Sequence, residues 1–137
     1  MPDRDEPIID QFMTAPVHTI GAEQTLAEAS RRMREHGCRH LPVLVGGAVR
    51  GILSDRDIDL VAGLPGVDAS AIAVEEAMVP DPYAVAPGTP LVEVLDEMAR
   101  HKYGTALVVK NKHAVGIFTA VDAIAAFRDH LAAHSAA

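Results

Sequence analysis

Hydrophobic and polar positions change rhythm along this chain in an order that occurs twice. A short extended run, Val17-His18-Thr19-Ile20, leads into Leu26, Ala29 and Met33 at helical spacing. Thr25 and Glu28 stand at capping-box spacing at the head of that helix, and Gly37 is placed to end it. Two apolar runs, Leu41–Val45 and Ala48–Leu53, then flank Gly46-Gly47, the pattern of a tight hairpin. A second helix is expected from about Asp57 to Ala62. Downstream, Tyr83-Ala84-Val85 is extended, and Leu91, Val94, Leu95 and Met98 lie on one helical face. Here Thr89 is the expected cap and Pro90 the first helical residue. Strands over Ala106–Val109 and Ala114–Phe118 flank Lys110–His113, and a last helix runs from about Asp122 into the tail.

Both halves therefore read β-α-β-β-α, and they superpose without a gap at an offset of 65 residues. Met13 meets Met78, Leu26 meets Leu91, Glu28 meets Glu93, Met33 meets Met98 and His36 meets His101. Val43 meets Val108, Gly51 meets Gly116, Ile52 meets Ile117 and Asp57 meets Asp122, while Ser54 falls on Thr119 and keeps the hydroxyl. The repeats span residues 8–62 and 78–130, joined by a connector over 63–77 and followed by a tail over 131–137. One repeat is too small to cover both faces of a three-stranded sheet, so the two are expected to share one core. The fold class is mixed α+β.

Composition narrows the function. With 137 residues, 49% hydrophobic and 23% charged, the chain is a folded domain rather than a disordered one. Nineteen acids against twelve bases give a net charge of −7, which argues against nucleic acid as a partner. A local basic pocket for an anion stays compatible with that balance. The polar start Met1–Glu6 predicts no secretory signal, and no apolar run is long enough to span a membrane. The single Cys38 fits a reducing, cytoplasmic setting.

Catalytic motifs are missing. The chain has no G-x-x-x-x-G-K-[ST], H-E-x-x-H, G-x-S-x-G or G-x-G-x-x-G pattern, so an enzyme is not expected. His130 and His134 have i,i+4 spacing, and His36 and His40 bracket Cys38, but neither set makes a metal centre by spacing alone. Solvated helix and strand-entry positions account for them.

The repeated signature carries the chemistry. Gly51-Ile52-Leu53-Ser54-Asp55-Arg56-Asp57 and Gly116-Ile117-Phe118-Thr119-Ala120-Val121-Asp122 each end a buried strand in a hydroxyl, with an Asp three residues later. The hydroxyl can cap the following helix, whose start offers N–H groups and positive potential to an anion. The Asp can accept hydrogen bonds from the vicinal hydroxyls of a ribose. A helix cap with an Asp one turn later also occurs without any ligand.

The duplicated signature, with Met13-Thr14-Ala15-Pro16-Val17 and Arg39-His40-Leu41-Pro42-Val43, resembles a tandem pair of CBS domains, the regulatory module named for cystathionine β-synthase. The resemblance covers about residues 8–130. It implies two CBS repeats packed as a pseudo-twofold pair, with clefts that take AMP, ADP, ATP or S-adenosylmethionine. It casts Asp57 and Asp122 as ribose-binding acids and Ser54 and Thr119 as the hydroxyls near ribose and phosphate. Thr14, Val17 and His18 with Cys38, Arg39 and His40 frame adenine in one cleft. Pro82 and Tyr83 with Tyr103, Gly104, Thr105 and Ala106 frame it in the other.

The copies differ at the charged positions. Arg39-His40 matches Gly104-Thr105, and Arg56 matches Val121. The resemblance casts Arg39-His40 and Arg56 as phosphate-contacting positions, and so implies a favoured site on Thr119, Asp122, Tyr83 and Tyr103–Ala106, with phosphate drawn to Arg39, His40 and Arg56. The resemblance thus implies a stand-alone energy or metabolite sensor, acting on a protein partner the sequence does not identify or on its own assembly as a homodimer. The alternative is a dimerisation or protein-interaction module with vestigial clefts.

Overall fold

The computed structural model describes residues 6–135. Residues 1–5, most of the acidic amino-terminal segment, and residues 136–137 of the tail lie outside the described residues. Two compact units divide the chain. One holds Val17–Pro82 with Lys112–Ala114; the other holds the residues up to Pro16, Tyr83–Asn111 and Val115 onward.

The first of these units runs β1 (Ile20–Gly21), α1 (Leu26–His36), β2 (His40–Val45), β3 (Ala48–Ser54), α2 (Asp55–Ala62) and β4 (Val79–Pro80). Its sheet has the order β1-β2-β3-β4, with β1 parallel to β2 and the remaining pairs antiparallel. The second unit runs β5 (Ala84–Val85), α3 (Leu91–His101), β6 (Thr105–Lys110), β7 (His113–Thr119, of which His113 and Ala114 group with the first unit) and α4 (Ala120–Ser135). Its sheet has the order β5-β6-β7. Both sheets and the four α-helices make a mixed α+β fold, as the repeated pattern predicts.

Local chemistry explains most boundaries. Gly46 and Gly47 turn β2 into β3 with φ of 59° and 84°, while Asn111 and Lys112 do the same for β6 and β7 with 52° and 69°. Two consecutive positive φ values give a hairpin turn whose twist matches its strands. Gly37 ends α1 at φ 64°, and Lys102 ends α3 in the same left-handed conformation. Thr25 caps α1 by accepting the Glu28 N–H. Its capping box is not closed, because the Glu28 carboxylate pairs with Arg31 and Arg32 instead. The helices α2 and α4 start two residues earlier than expected, because Ser54 and Thr119 stand just before their first turns. The extended leads are also shorter: strand pairing begins only at Ile20 and Ala84.

Thr89 does not cap α3. Its hydroxyl donates to the Ala86 carbonyl at 2.7 Å, and Pro90 precedes the helix rather than opening it. The orphan N–H of Leu91 instead donates to the Pro7 carbonyl at 2.9 Å, beside an Ile8–Pro90 bridge. The first repeat is completed in the same way: the Leu26 N–H donates to the Ile72 carbonyl at 2.9 Å, beside a Thr25–Ala73 bridge. Each repeat's helix is thus finished by the segment that precedes the other repeat. Residues 72–80 include a short turn of helix over Val74–Glu76 that the turn-rich composition of the connector does not reveal.

The same exchange accounts for two repeated residue types. Val79 and Pro80 pair with Ile52 and Gly51, and Thr14 pairs with Ile117. Next to these pairings Met78 lies against Gly51 and Met13 against Gly116, so closely that a Cβ on either glycine would overlap the methionine sulfur. Met and Gly recur together because they are contact partners.

Buried side chains form a cluster in each unit. Ile20, Leu26, Leu41, Val43 and Leu53 gather in one cluster, joined by Val74 of the exchanged segment. Val94, Ala106, Val108 and Phe118 gather in the other, joined by Ile9. Ile9 and Val74 are both fully buried. The exchanged segments supply the covering that a bare repeat lacks.

Candidate functional site

In each unit the strand-to-helix junction is a reciprocal box. The Ser54 hydroxyl accepts the Asp57 N–H at 3.0 Å, and the Ser54 N–H donates to Asp57 Oδ2 at 2.9 Å. The Thr119 hydroxyl accepts the Asp122 N–H at 3.2 Å, and the Thr119 N–H donates to Asp122 Oδ2 at 2.9 Å. The Thr119 hydroxyl also lies 3.2 Å from Asp122 Oδ2. Both acids thus have a structural task that uses one carboxylate oxygen. Among the described residues Oδ1 of Asp57 and Oδ1 of Asp122 make no hydrogen bond within the protein. A carboxylate oxygen can accept two hydrogen bonds, enough for a pair of vicinal hydroxyls.

A backbone clip holds each junction to the start of the preceding strand. The Asp55 N–H donates to the Arg39 carbonyl at 3.0 Å, and the Ala120 N–H donates to the Gly104 carbonyl at 2.9 Å. The expected residues around these clips divide between the units. In the second, Tyr83 stacks on Tyr103 with centroids 5.1 Å apart, and His101 also stacks on Tyr103 at 5.1 Å. The Tyr83 carbonyl accepts the Leu107 N–H, which fixes the chain at β5. Burial, then Glu97 and Glu93, raises the Tyr83 hydroxyl above its ordinary pKa, so it remains a neutral donor. Thr105 is half-buried and Gly104 exposed, while the Ala106 side chain is wholly buried and leaves only backbone to a ligand. Thr14 is exposed and pairs through its backbone with Ile117.

In the first unit His18, at the position of Tyr83, stacks on His36, at the position of His101, with centroids 3.5 Å apart, and Cys38 stands where the second unit has Tyr103. Cys38 packs half-buried against the core, and burial pushes its thiol pKa up. Burial also lowers the pKa of His40, and Asp55 and Asp57 only partly offset this. His40 is thus a neutral imidazole at pH 7, which leaves the fixed positive charge to Arg39 and Arg56, both exposed. Val17 and Pro82 are half-buried.

One concavity escaped the sequence reading. A cavity of about 380 Å³ lies between α1, the entry to β2 and α2, and Cys38, Arg39 and Asp55 line it. Among the described residues no group of three or more His, Cys, Asp or Glu is placed to hold a metal ion. The His130 and His134 pair sits on exposed α4, with a His134 ring nitrogen 2.8 Å from the His130 carbonyl. Among the described residues no helix is long and apolar enough to cross a membrane.

A family model for the CBS domain matches residues 9–61 and again 74–129. The chain belongs to the CBS domain family. Among its CBS relatives, the CBS domain-containing protein YhcV of Bacillus subtilis is 31% identical over 109 residues, covering 80% of this chain and 77% of that protein. An inosine-5'-monophosphate dehydrogenase of Korarchaeum cryptofilum is 33% identical over 114 residues, covering 82% of this chain but only 23% of the dehydrogenase. An uncharacterized conserved protein of Pyrococcus horikoshii shares the fold with a TM-score of 0.77 and 32% identity, over 90% of this chain and 93% of that one. The CBS domain pair of protein MJ0100, solved with 5'-methylthioadenosine and S-adenosyl-L-methionine, gives a TM-score of 0.80 at 21% identity, over 91% and 98% of the two chains. CBSX2 in complex with AMP gives 0.76 at 21% identity, over 89% and 97%. The chain is a CBS domain pair by sequence and by fold.

Proposed function

We propose that this CBS pair is a cytoplasmic, non-catalytic sensor that binds an adenosine-containing ligand, AMP, ADP, ATP or S-adenosylmethionine, and passes occupancy on to a protein partner. The observation that carries the reading is the unspent carboxylate oxygen of Asp122, next to a helix start and in the same unit as the Tyr83–Tyr103 stack. In this reading Asp122 holds the ribose, Thr119 the ribose–phosphate junction, and Tyr83 with Tyr103–Thr105 the base. Within the first unit, Arg39 and Arg56 offer charge to a phosphate, and His40 offers a neutral donor. The ligands of MJ0100 and CBSX2 support the adenosine class.

A second reading, a dimerisation module with idle clefts, draws support from α4. Its Val121, Ile124, Phe127 and Leu131 are 72%, 68%, 60% and 52% exposed and fall along one side of the helix. A thermal-shift panel of AMP, ADP, ATP and S-adenosylmethionine, with GMP as control, separates the two. A ligand at about 100 times its dissociation constant adds about 2.7 kcal/mol to stability, a rise of several degrees. A rise with an adenosine compound and none with GMP supports the sensor. No rise with any compound at millimolar concentration leaves the dimerisation module.

A further inference from the structure

The cavity between α1 and α2 has an apolar floor and a rim of both charges. Met33 and Ile58 form the floor, each 5% exposed. Arg34 and Arg39 stand on the rim with Asp55 and Asp59. Among the described residues none of these four makes a salt bridge, although both signs border one cavity. The hydroxyl of Ser30, which also lines it, makes no hydrogen bond among the described residues. A volume of about 380 Å³ is in the range of small-ligand pockets.

Helix stability accounts for only part of the rim: Arg34 in the last turn of α1 and Asp55 in the first turn of α2 suit their helix dipoles, but the rest of the pattern does not. Asp55 and Asp59 are like charges at i,i+4, which weakens a helix. Asp59 also lies in the second half of the eight-residue α2, on the side where the helix dipole disfavours an anion. The second repeat shows that the fold needs none of these charges. At the matching positions Arg34, Arg39, Asp55 and Asp59 are replaced by Ala99, Gly104, Ala120 and Ile124, while Met33 remains as Met98.

We propose that this cavity binds a free α-amino acid with an aliphatic side chain, its carboxylate at Arg34 and Arg39, its ammonium at Asp55 and Asp59, and its side chain on Met33 and Ile58. A ligand carrying both charges on a short carbon frame answers both halves of the rim and the floor between them. The site goes beyond the adenosine reading. Arg39 belongs to both, so the test leaves it unchanged.

The test is a titration of the whole protein, labelled with nitrogen-15, with L-leucine while amide shifts are followed by NMR. The controls are 4-methylpentanoate, which keeps only the carboxylate, and 3-methylbutylamine, which keeps only the ammonium. Saturable shifts are expected within residues 30–39 and 55–59. Each control, and each of the exposed-site variants Arg34→Gln and Asp59→Asn, should bind about tenfold more weakly, as loss of one charge-assisted contact requires. The response of these variants to AMP should stay as in the wild type, which keeps failure here separate from failure of the sensor. Absence of saturation at millimolar leucine, controls that bind as well as leucine, or variants that bind it unchanged would each overturn the proposal. So would movement of the same amides on dilution of the protein alone, because a second copy would then fill the cavity.

Discussion

The two CBS repeats share a framework and diverge at their charges. Both end β-strands in a hydroxyl–Asp box, both clip that box to the preceding strand, and both are completed by a segment from before the other repeat. Yet Arg39, Asp55, Arg56 and Asp59 of the first become Gly104, Ala120, Val121 and Ile124 in the second. His18 and Cys38 of the first become Tyr83 and Tyr103, which stack on each other. Backbone capping and core contacts are the same physical problem twice and receive the same answer twice. Side chains that the fold does not need are where the copies diverge.

The strongest way to break this comparison is to attack the exchanged segments. Ile9→Ala should destabilise the protein by about 2–5 kcal/mol, as loss of a fully buried isoleucine does. Val74→Ala should give a smaller loss, since it removes one methylene fewer, worth about 0.8 kcal/mol. Urea denaturation of both variants measures this. Equal stability to wild type would show that the exchange contributes no packing.

The paired glycines sharpen the comparison. Gly51→Ala and Gly116→Ala should each cost about 1–3 kcal/mol by overpacking. Adding Met13→Ala to Gly116→Ala should recover most of the overpacking, because the three atoms nearest that Cβ all belong to the Met13 side chain. Adding Met78→Ala to Gly51→Ala should recover less, because the Val79 carbonyl also lies 3.0 Å from the added carbon. Thermal melts of the two pairs give the answer.

A smaller effect tests the boxes as caps. Ser54→Ala and Thr119→Ala should each lose about 1 kcal/mol, the usual value of a helix N-cap. Near-equal losses mean that the boxes serve the fold alike. The smallest effect concerns His40. Its pKa lies below 6.5 in the folded chain because burial disfavours the cation. The unfolded chain therefore binds more protons between the two values, so stability should fall as pH drops below about 6.5 and level off below the folded pKa. Denaturation from about pH 7.5 to about pH 5 should show that fall, flattened in His40→Gln. The matching residue, Thr105, does not titrate there.

Much of this is legible in the sequence. Gly46-Gly47 marked a hairpin because few other residues take two positive φ values in succession. Asn111-Lys112 was harder to read as the same turn, since lysine carries no such preference. Ser54 and Thr119 were visible as caps because capping is local chemistry. The exchange was not visible. Residues 7–9 and 72–74 are too short for periodicity, and their partners are carbonyls and N–H groups far along the chain. Thr89 was misread for that reason, as its helix is finished by Pro7 rather than by its own side chain. The cavity rim was equally hidden: Arg34 and Asp59 mean nothing together until α1 and α2 lie side by side.

The central claim is that two boxes built alike do different work, and calorimetric titration of Asp57→Asn and Asp122→Asn against wild type tests it most directly. Asparagine keeps an oxygen for the box, so each helix cap is preserved while the charge is removed. With the adenosine compound that stabilises the wild type, Asp122→Asn should weaken binding by about tenfold or more. Asp57→Asn should leave that affinity close to wild type. Equal weakening in the two variants, or full binding by Asp122→Asn, would contradict the account.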